Sequence, residues 1–156
     1  MEYPAEHYDV IHSRDAILHM HDKPTLFKKL YESLKPGGKL LITDYCRSLN
    51  GATRDAKFEE YVKNHNYDMI SISQYESLLT DSGFANVVGI DISNKFSEIL
   101  KKELEILSHE DIKRKMKDII GLKDYEVWYN LWKDKIGRVE NGHHVWGLFT
   151  ANKSNL

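Results

Sequence analysis

Asp15 and His19 lie four residues apart in the stretch Ser13–His21, SRDAILHMH. If a helix has begun by then, that spacing puts carboxylate and imidazole on one face. An aspartate so placed orients the ring and stabilises its charged form, which is the arrangement of a proton-handling pair. The same residues have a structural reading, with Asp15 as the N-cap of a helix and His19 as a polar side chain. A metal reading fails on geometry: His19 and His21 would point about 200° apart on a helix. His143 and His144 are neighbours on a presumed strand and face opposite ways. Without clustered cysteines or carboxylates, no metal is assigned. Cys46 follows Tyr45 with no base placed for it and reads as a small buried apolar residue.

These groups must be positioned by a chain of 156 residues, 41% hydrophobic and 29% charged, which is enough for one compact domain with a core. The 22 basic and 24 acidic residues leave a net charge of −2, so no global field recruits nucleic acid. No apolar run approaches the roughly 20 residues of a membrane-spanning helix. The N-terminal stretch MEYPAEHYDV has no signal-peptide core, and one cysteine suits a reducing compartment, so a cytoplasmic location is expected.

Tyr8–Arg14, YDVIHSR, reads as a short buried strand. A helix follows, because Leu26, Phe27, Leu30, Tyr31 and Leu34 recur at helical spacing. It is expected to stop at KPGG, with Lys35 near the negative end of the helix dipole and Pro36 unable to continue. KLLITDY is a continuous apolar strand suited to a parallel sheet. SISQYESLLTDSGF reads as a serine-capped helix ending at Gly83, and ANVVGIDIS as the next strand. Residues 94–135 are mostly helical and charge-rich, and HHVWGLFTANK closes as a strand. Alternating strands and helices predict an open α/β sheet, whose ligands bind at the carboxyl ends of the strands. Ser13, Arg14, Asp15, Asp44, Tyr45 and Cys46 fall there.

The run YDVIHSRDAILHM…LFKKLYESLKPGGKLLITDY resembles the second half of a class I S-adenosylmethionine-dependent methyltransferase domain. SRDAILH, LLITDYC, FEEYVKNHNY and HVWGLF together look like the phosphoethanolamine N-methyltransferases of nematodes and malaria parasites. The resemblance implies an α/β fold, the C-terminal portion of a Rossmann-like sheet, with the first strands and Gly-rich loop missing. It implies one partial domain over residues 1–156, with helical insertions on the substrate side at 46–70 and 94–138. The implied activity is transfer of a methyl group from S-adenosylmethionine to phosphoethanolamine or its mono- and dimethyl forms, towards phosphocholine. The alternative is a phosphobase-binding or assembly module lacking the cofactor half. The expected partner is the small phosphobase, with no nucleic acid and no membrane span. A half-sheet also leaves the chain open to self-association or to pairing with the missing N-terminal half.

Residue by residue, the resemblance puts the proton-handling pair on Asp15 and His19. It puts the phosphate contacts on Tyr45, Tyr61, Tyr67 and Lys135. It puts Ser13 and Arg14 near the methionine portion of S-adenosylmethionine, much of whose site would lie outside this chain. His65 stands where the malaria-parasite type carries an arginine. An arginine fork is permanently charged, whereas histidine offers one or two donors and full charge only at lower pH.

Overall fold

The computed structural model describes residues 4–48 and 55–155, which divide into two compact units, residues 1–92 with 145–156 and residues 93–144. Residues 49–54, within the expected insertion at 46–70, lie outside the described residues.

The first unit is built on a four-stranded sheet of β1 (Tyr8–Arg14), β2 (Leu34–Arg47), β3 (Ala85–Asp91) and β4 (His144–Asn152), in the order β1-β2-β4-β3. β1 and β2 are parallel and β3 and β4 antiparallel, so the sheet is mixed and not wholly parallel. β1 has the bounds that its apolar centre predicts but is not the buried strand expected: each of its residues is exposed or half-buried, Val10 to 58%. Its register against β2 slips between Tyr8 and Val10, whose partners are Leu34 and Lys39. The slip absorbs the KPGG stretch into an irregular start of β2. Accordingly helix α1 (Lys23–Ser33) stops before the expected KPGG boundary, and Leu34 turns extended as its C-cap. Lys35 ion-pairs with Asp9 at 2.9 Å and does not cap the helix.

Asp22 starts α1: its carboxylate accepts the Thr25 N–H at 3.2 Å, and Pro24 sits in the first turn. α3 (Ile72–Asp81) opens on a reciprocal capping box between Ser71 and Gln74. Gly83, at φ +99°, then turns the chain in a conformation that costs glycine little. The shorter α2 (Ala56–Asn64) is held to β2 by the Arg47–Glu59 ion pair.

The core lies where α1 and α3 pack on β2 and β4, around Phe27, Leu34, Leu40, Ile42, Tyr75, Leu79 and Phe149. Tyr75 stacks on Phe149 with ring centres 4.2 Å apart. Gly147 makes room for that stack, since a Cβ there would meet the Phe149 ring at 2.6 Å.

The second unit holds helices α4 (Ser93–Ser108), α5 (Glu110–Ile120) and α6 (Leu122–Glu140). Phe96, Leu100, Tyr125, Ile136 and Val139 are buried in it, and α5 buries no residue fully. Among the described residues no helix is long and apolar enough to cross a membrane.

Candidate active site

β1 ends at Arg14 while the parallel β2 runs on to Arg47, with Ser13 opposite Ile42 and Arg14 opposite Thr43. At Asp15 the chain leaves the sheet through a left-handed conformation, φ +50°, which L-residues seldom adopt. Its N–H donates to Thr43 O at 2.7 Å. The carboxylate is largely sheltered, at 19% exposure, and Oδ1 accepts the Trp146 indole N–H at 2.8 Å. Oδ2 lies 3.8 Å from Nε of Arg14, whose side chain is 76% exposed. Asp15 is therefore not the expected helix cap: the helix begins only at Lys23, and Asp22 caps it.

His19 closes a single 3-10 turn, Ile17–His19. The premise of a shared helical face does not hold, and no hydrogen bond or ion pair joins Asp15 to His19. Each is held separately. The His19 ring packs edge-on against Tyr67, with centres 5.1 Å apart. The main chain on either side is tied down: Leu18 O accepts the Asp68 N–H at 2.7 Å, and Met20 O accepts from Lys23 Nζ at 2.7 Å. Lys23 also reaches Asp68 Oδ2 at 2.9 Å, with its side chain only 2% exposed. That buried ammonium joins the turn carrying His19 to the segment carrying Tyr67, and a buried cation is tolerable only when paired in this way.

The tyrosines converge beside them. Tyr45 lies within β2, which runs on to Arg47, rather than just past a strand end. Tyr61 comes from α2, His65 is that helix's C-cap residue, and Tyr67 follows. Tyr45, Tyr61 and Tyr67 pack around a small cluster of Leu18, Phe58, Val62 and Met69. Ring centres of Tyr61 and His65 are 4.4 Å apart, of Tyr61 and Tyr67 5.7 Å, and of His65 and Tyr67 5.1 Å. His65 Nδ1 lies 2.8 Å from Tyr61 O; a carbonyl only accepts, so this nitrogen carries a proton and Nε2 remains for another partner. Burial first, then the neighbouring Asp15, Tyr61 and Tyr67, pushes the Tyr45 phenol well up. Tyr45 thus keeps its proton, and can donate it in a hydrogen bond, throughout the neutral range.

Beneath the site, Asp44 is fully buried and accepts the Tyr75 hydroxyl at 2.8 Å. Burial raises its carboxyl to about 6, although Tyr75 and the Leu18 and Tyr45 amides oppose that rise. Burial also pushes the Cys46 thiol up, which leaves it a packing residue rather than a nucleophile. Ser13 lines an apolar cleft of about 370 Å³ along β1. Lys135 belongs to the second unit, where its ammonium lies 5.0 Å from the centre of the Phe96 ring and 5.6 Å from that of Trp132.

Trp146, Lys23, Asp68 and Tyr75 are not singled out by the sequence as site residues, whereas Asp44 is, by its place at a strand end. A lone tryptophan in an otherwise ordinary strand was the one visible hint; the lysine carried none.

A family model described as a methyltransferase domain matches residues 1–109. Phosphoethanolamine N-methyltransferase 1 of Arabidopsis thaliana is 43% identical over 152 residues, 97% of this chain and 30% of that protein. Phosphoethanolamine N-methyltransferase of Plasmodium falciparum is 38% identical over 155 residues, 98% of this chain and 57% of that protein. The solved structure of Haemonchus contortus phosphoethanolamine N-methyltransferase 2, in complex with phosphomonomethylethanolamine and S-adenosylhomocysteine, superposes with a TM-score of 0.92. That match has 31% identity and covers 98% of this chain and 35% of the other. The chain thus spans 30% of the length of the first of these relatives and matches the family model over most of its own. It belongs to the methyltransferase-domain family.

Proposed function

We propose that this chain carries the substrate side of an S-adenosylmethionine-dependent methyltransferase acting on the amine of phosphoethanolamine or its mono- and dimethyl forms, towards phosphocholine. One observation carries the reading: Tyr45, Tyr61, His65 and Tyr67 gather beside Asp15 and His19 at the strand ends. A phosphobase has two such ends, an anion needing neutral or positive donors and an amine needing a carboxylate and a proton acceptor. The names of the relatives and the phosphobase in the Haemonchus structure agree with it.

In this reading the Tyr45, Tyr61 and Tyr67 hydroxyls hold the phosphate, and His65 Nε2 adds a donor when the ring carries its second proton, since Nδ1 already gives its own to Tyr61 O. Lys135 is assigned to the same task on family likeness alone, as are residues 46–70 and 94–138 to the substrate side. An ammonium cannot attack until it loses a proton. The exposed His19 ring takes that proton, while Asp15 Oδ2 holds the amine by charge and hydrogen bonding. Because the two side chains are not bonded to each other, they act on the amine separately. Ser13, in its cleft, and Arg14 would hold the methionine end of S-adenosylmethionine, which supplies an electrophilic methyl group when bound. A cytoplasmic setting and association through the edge strand β1, where Val10 is 58% exposed, belong to the same proposal.

Radiolabelled methyl transfer to the three phosphobases tests it, with calorimetric phosphobase binding as a second readout. Joined to a cofactor-binding half, the chain is expected to support transfer, with a loss of about 100-fold in His19→Ala, as for a proton acceptor. Absence of both transfer and phosphobase binding defeats the proposal.

A further inference from the structure

We propose that Trp146 is a positioning residue, whose indole N–H occupies Asp15 Oδ1 and so leaves Oδ2 as the oxygen that meets the substrate amine. This rests on the phosphobase reading above. Asp15 sits where β1 ends, at φ +50°, a conformation that persists only where the surroundings impose it. Two bonds impose it here. Its N–H is taken by Thr43 O at 2.7 Å, and Oδ1 is taken by Trp146 Nε1 at 2.8 Å. The second bond spans 131 positions of sequence and joins the end of β1 to β4, two strands away in the sheet order.

Trp146 is itself fixed. The Ile92 N–H donates to its carbonyl at 2.9 Å, and the next residue, Gly147, pairs with Asp91. Its neighbours Val145 and Gly147 are buried while Trp146 is half-buried, so the indole projects from the opposite face of β4.

The choice of an indole has a chemical consequence. It donates one hydrogen bond and neither accepts nor releases a proton near neutral pH. A lysine or arginine in its place would neutralise the carboxylate; the indole orients it and leaves its negative charge intact for an ammonium. On the other oxygen the nearest charge is Arg14, 3.8 Å away and turned to solvent.

The test measures, by calorimetry on the whole chain, affinity for phosphoethanolamine and for inorganic phosphate, which lacks the amine end. In Trp146→Phe, which keeps a ring but removes the donor, phosphoethanolamine binding should weaken by about tenfold and phosphate binding by less than about twofold. Asp15→Asn should give the same selective loss. In the ¹⁵N-labelled chain, Asp15→Asn should also shift the indole N–H resonance that Trp146→Phe deletes. Equal weakening of both ligands, weakening of neither, or an indole resonance indifferent to Asp15→Asn overturns the role of Trp146. Failure of the unmodified chain to bind either ligand instead defeats the phosphobase reading, and the indole resonance still decides whether Trp146 holds Asp15.

Discussion

The two units engage their polar side chains in different ways. In the sheet unit three buried polar side chains, those of Asp44, Lys23 and Ser71, each have a directional partner. Asp44 takes the Tyr75 hydroxyl, Lys23 bonds Asp68 and Met20 O, and Ser71 closes a capping box with Gln74. In the helical unit, several cations lie over aromatic faces: Lys117 over Tyr125 at 5.4 Å, Lys133 over Tyr129 at 5.0 Å and Lys135 over Phe96 at 5.0 Å. Directional bonds fix angles, whereas ring faces tolerate sliding. Six of the seven residues proposed for phosphate and proton handling lie in the sheet unit, and Lys135 lies in the other. Fixed geometry is concentrated where a reacting amine would need it.

Acid should separate the units most strongly. His144 is fully buried, and burial, with Lys135 and Arg138 as nearby cations, lowers its ring from 6.5 to about 3. Between those values the unfolded chain binds a proton that the folded chain refuses, so stability falls as pH drops from 6.5 towards 3. The full effect is about 5 kcal/mol. Urea unfolding followed by Trp128 and Trp132 fluorescence in a Trp146→Phe background should show that loss, and His144→Leu should flatten it. An unchanged slope in His144→Leu would remove the buried ring as its cause.

Packing comes next. Phe149 is fully buried and stacked on Tyr75, so Phe149→Ala should cost about 3–5 kcal/mol of unfolding free energy, read as a fall in urea midpoint. A cost below about 1 kcal/mol would mean that the sheet core collapses around the gap, against the rigidity ascribed to it.

Asp44 carries the opposite pH sign from His144. Its carboxyl rises from 3.8 to about 6, so between those values the folded chain keeps a proton that the unfolded chain has lost. This contribution is fully present below 3.8, declines as pH rises to 6 and is gone above it, a change of about 3 kcal/mol. Asp44→Asn cannot titrate. Its stability relative to the parent should therefore fall by about that amount on going from pH 7 to pH 4. A constant difference between parent and variant across that range would place the titration elsewhere.

Much of the fold could be read locally. The β-branched centre of Tyr8–Arg14, the Ser71 cap and Gly83 each act through neighbours in sequence, and each element lies where those signals put it. The start of α1 shows where such reading becomes ambiguous. Asp15 and Asp22 both precede apolar helical spacing, and Pro24 in the first turn favours the second. KPGG looked like a helix stop, yet the pairing of Tyr8 with Leu34 draws it into the sheet. The clustering of Tyr45, Tyr61 and Tyr67 follows from the family likeness and not from their spacing. The contact between Trp146 and Asp15 depends on β4 lying between β2 and β3, a choice of strand order that no local pattern encodes.

The smallest predicted effect is also the sharpest check on the contrast between units. α5 carries Ile112, Met116 and Ile120 half-buried along one stripe, while Ile119 beside them is 77% exposed. An isoleucine already in water in the folded chain loses no burial when replaced, so Ile119→Ser should move the unfolding free energy by no more than about 0.5 kcal/mol. Measured beside Phe149→Ala, the pair sets an apolar residue that organises a core against one that does not. A loss above about 2 kcal/mol for Ile119→Ser would show that the outer face of α5 is covered in solution. The exposure of Ile119 would then belong to the isolated chain alone. Concentration dependence of the unfolding midpoint would identify a second copy as the cover, because association shifts apparent stability by mass action.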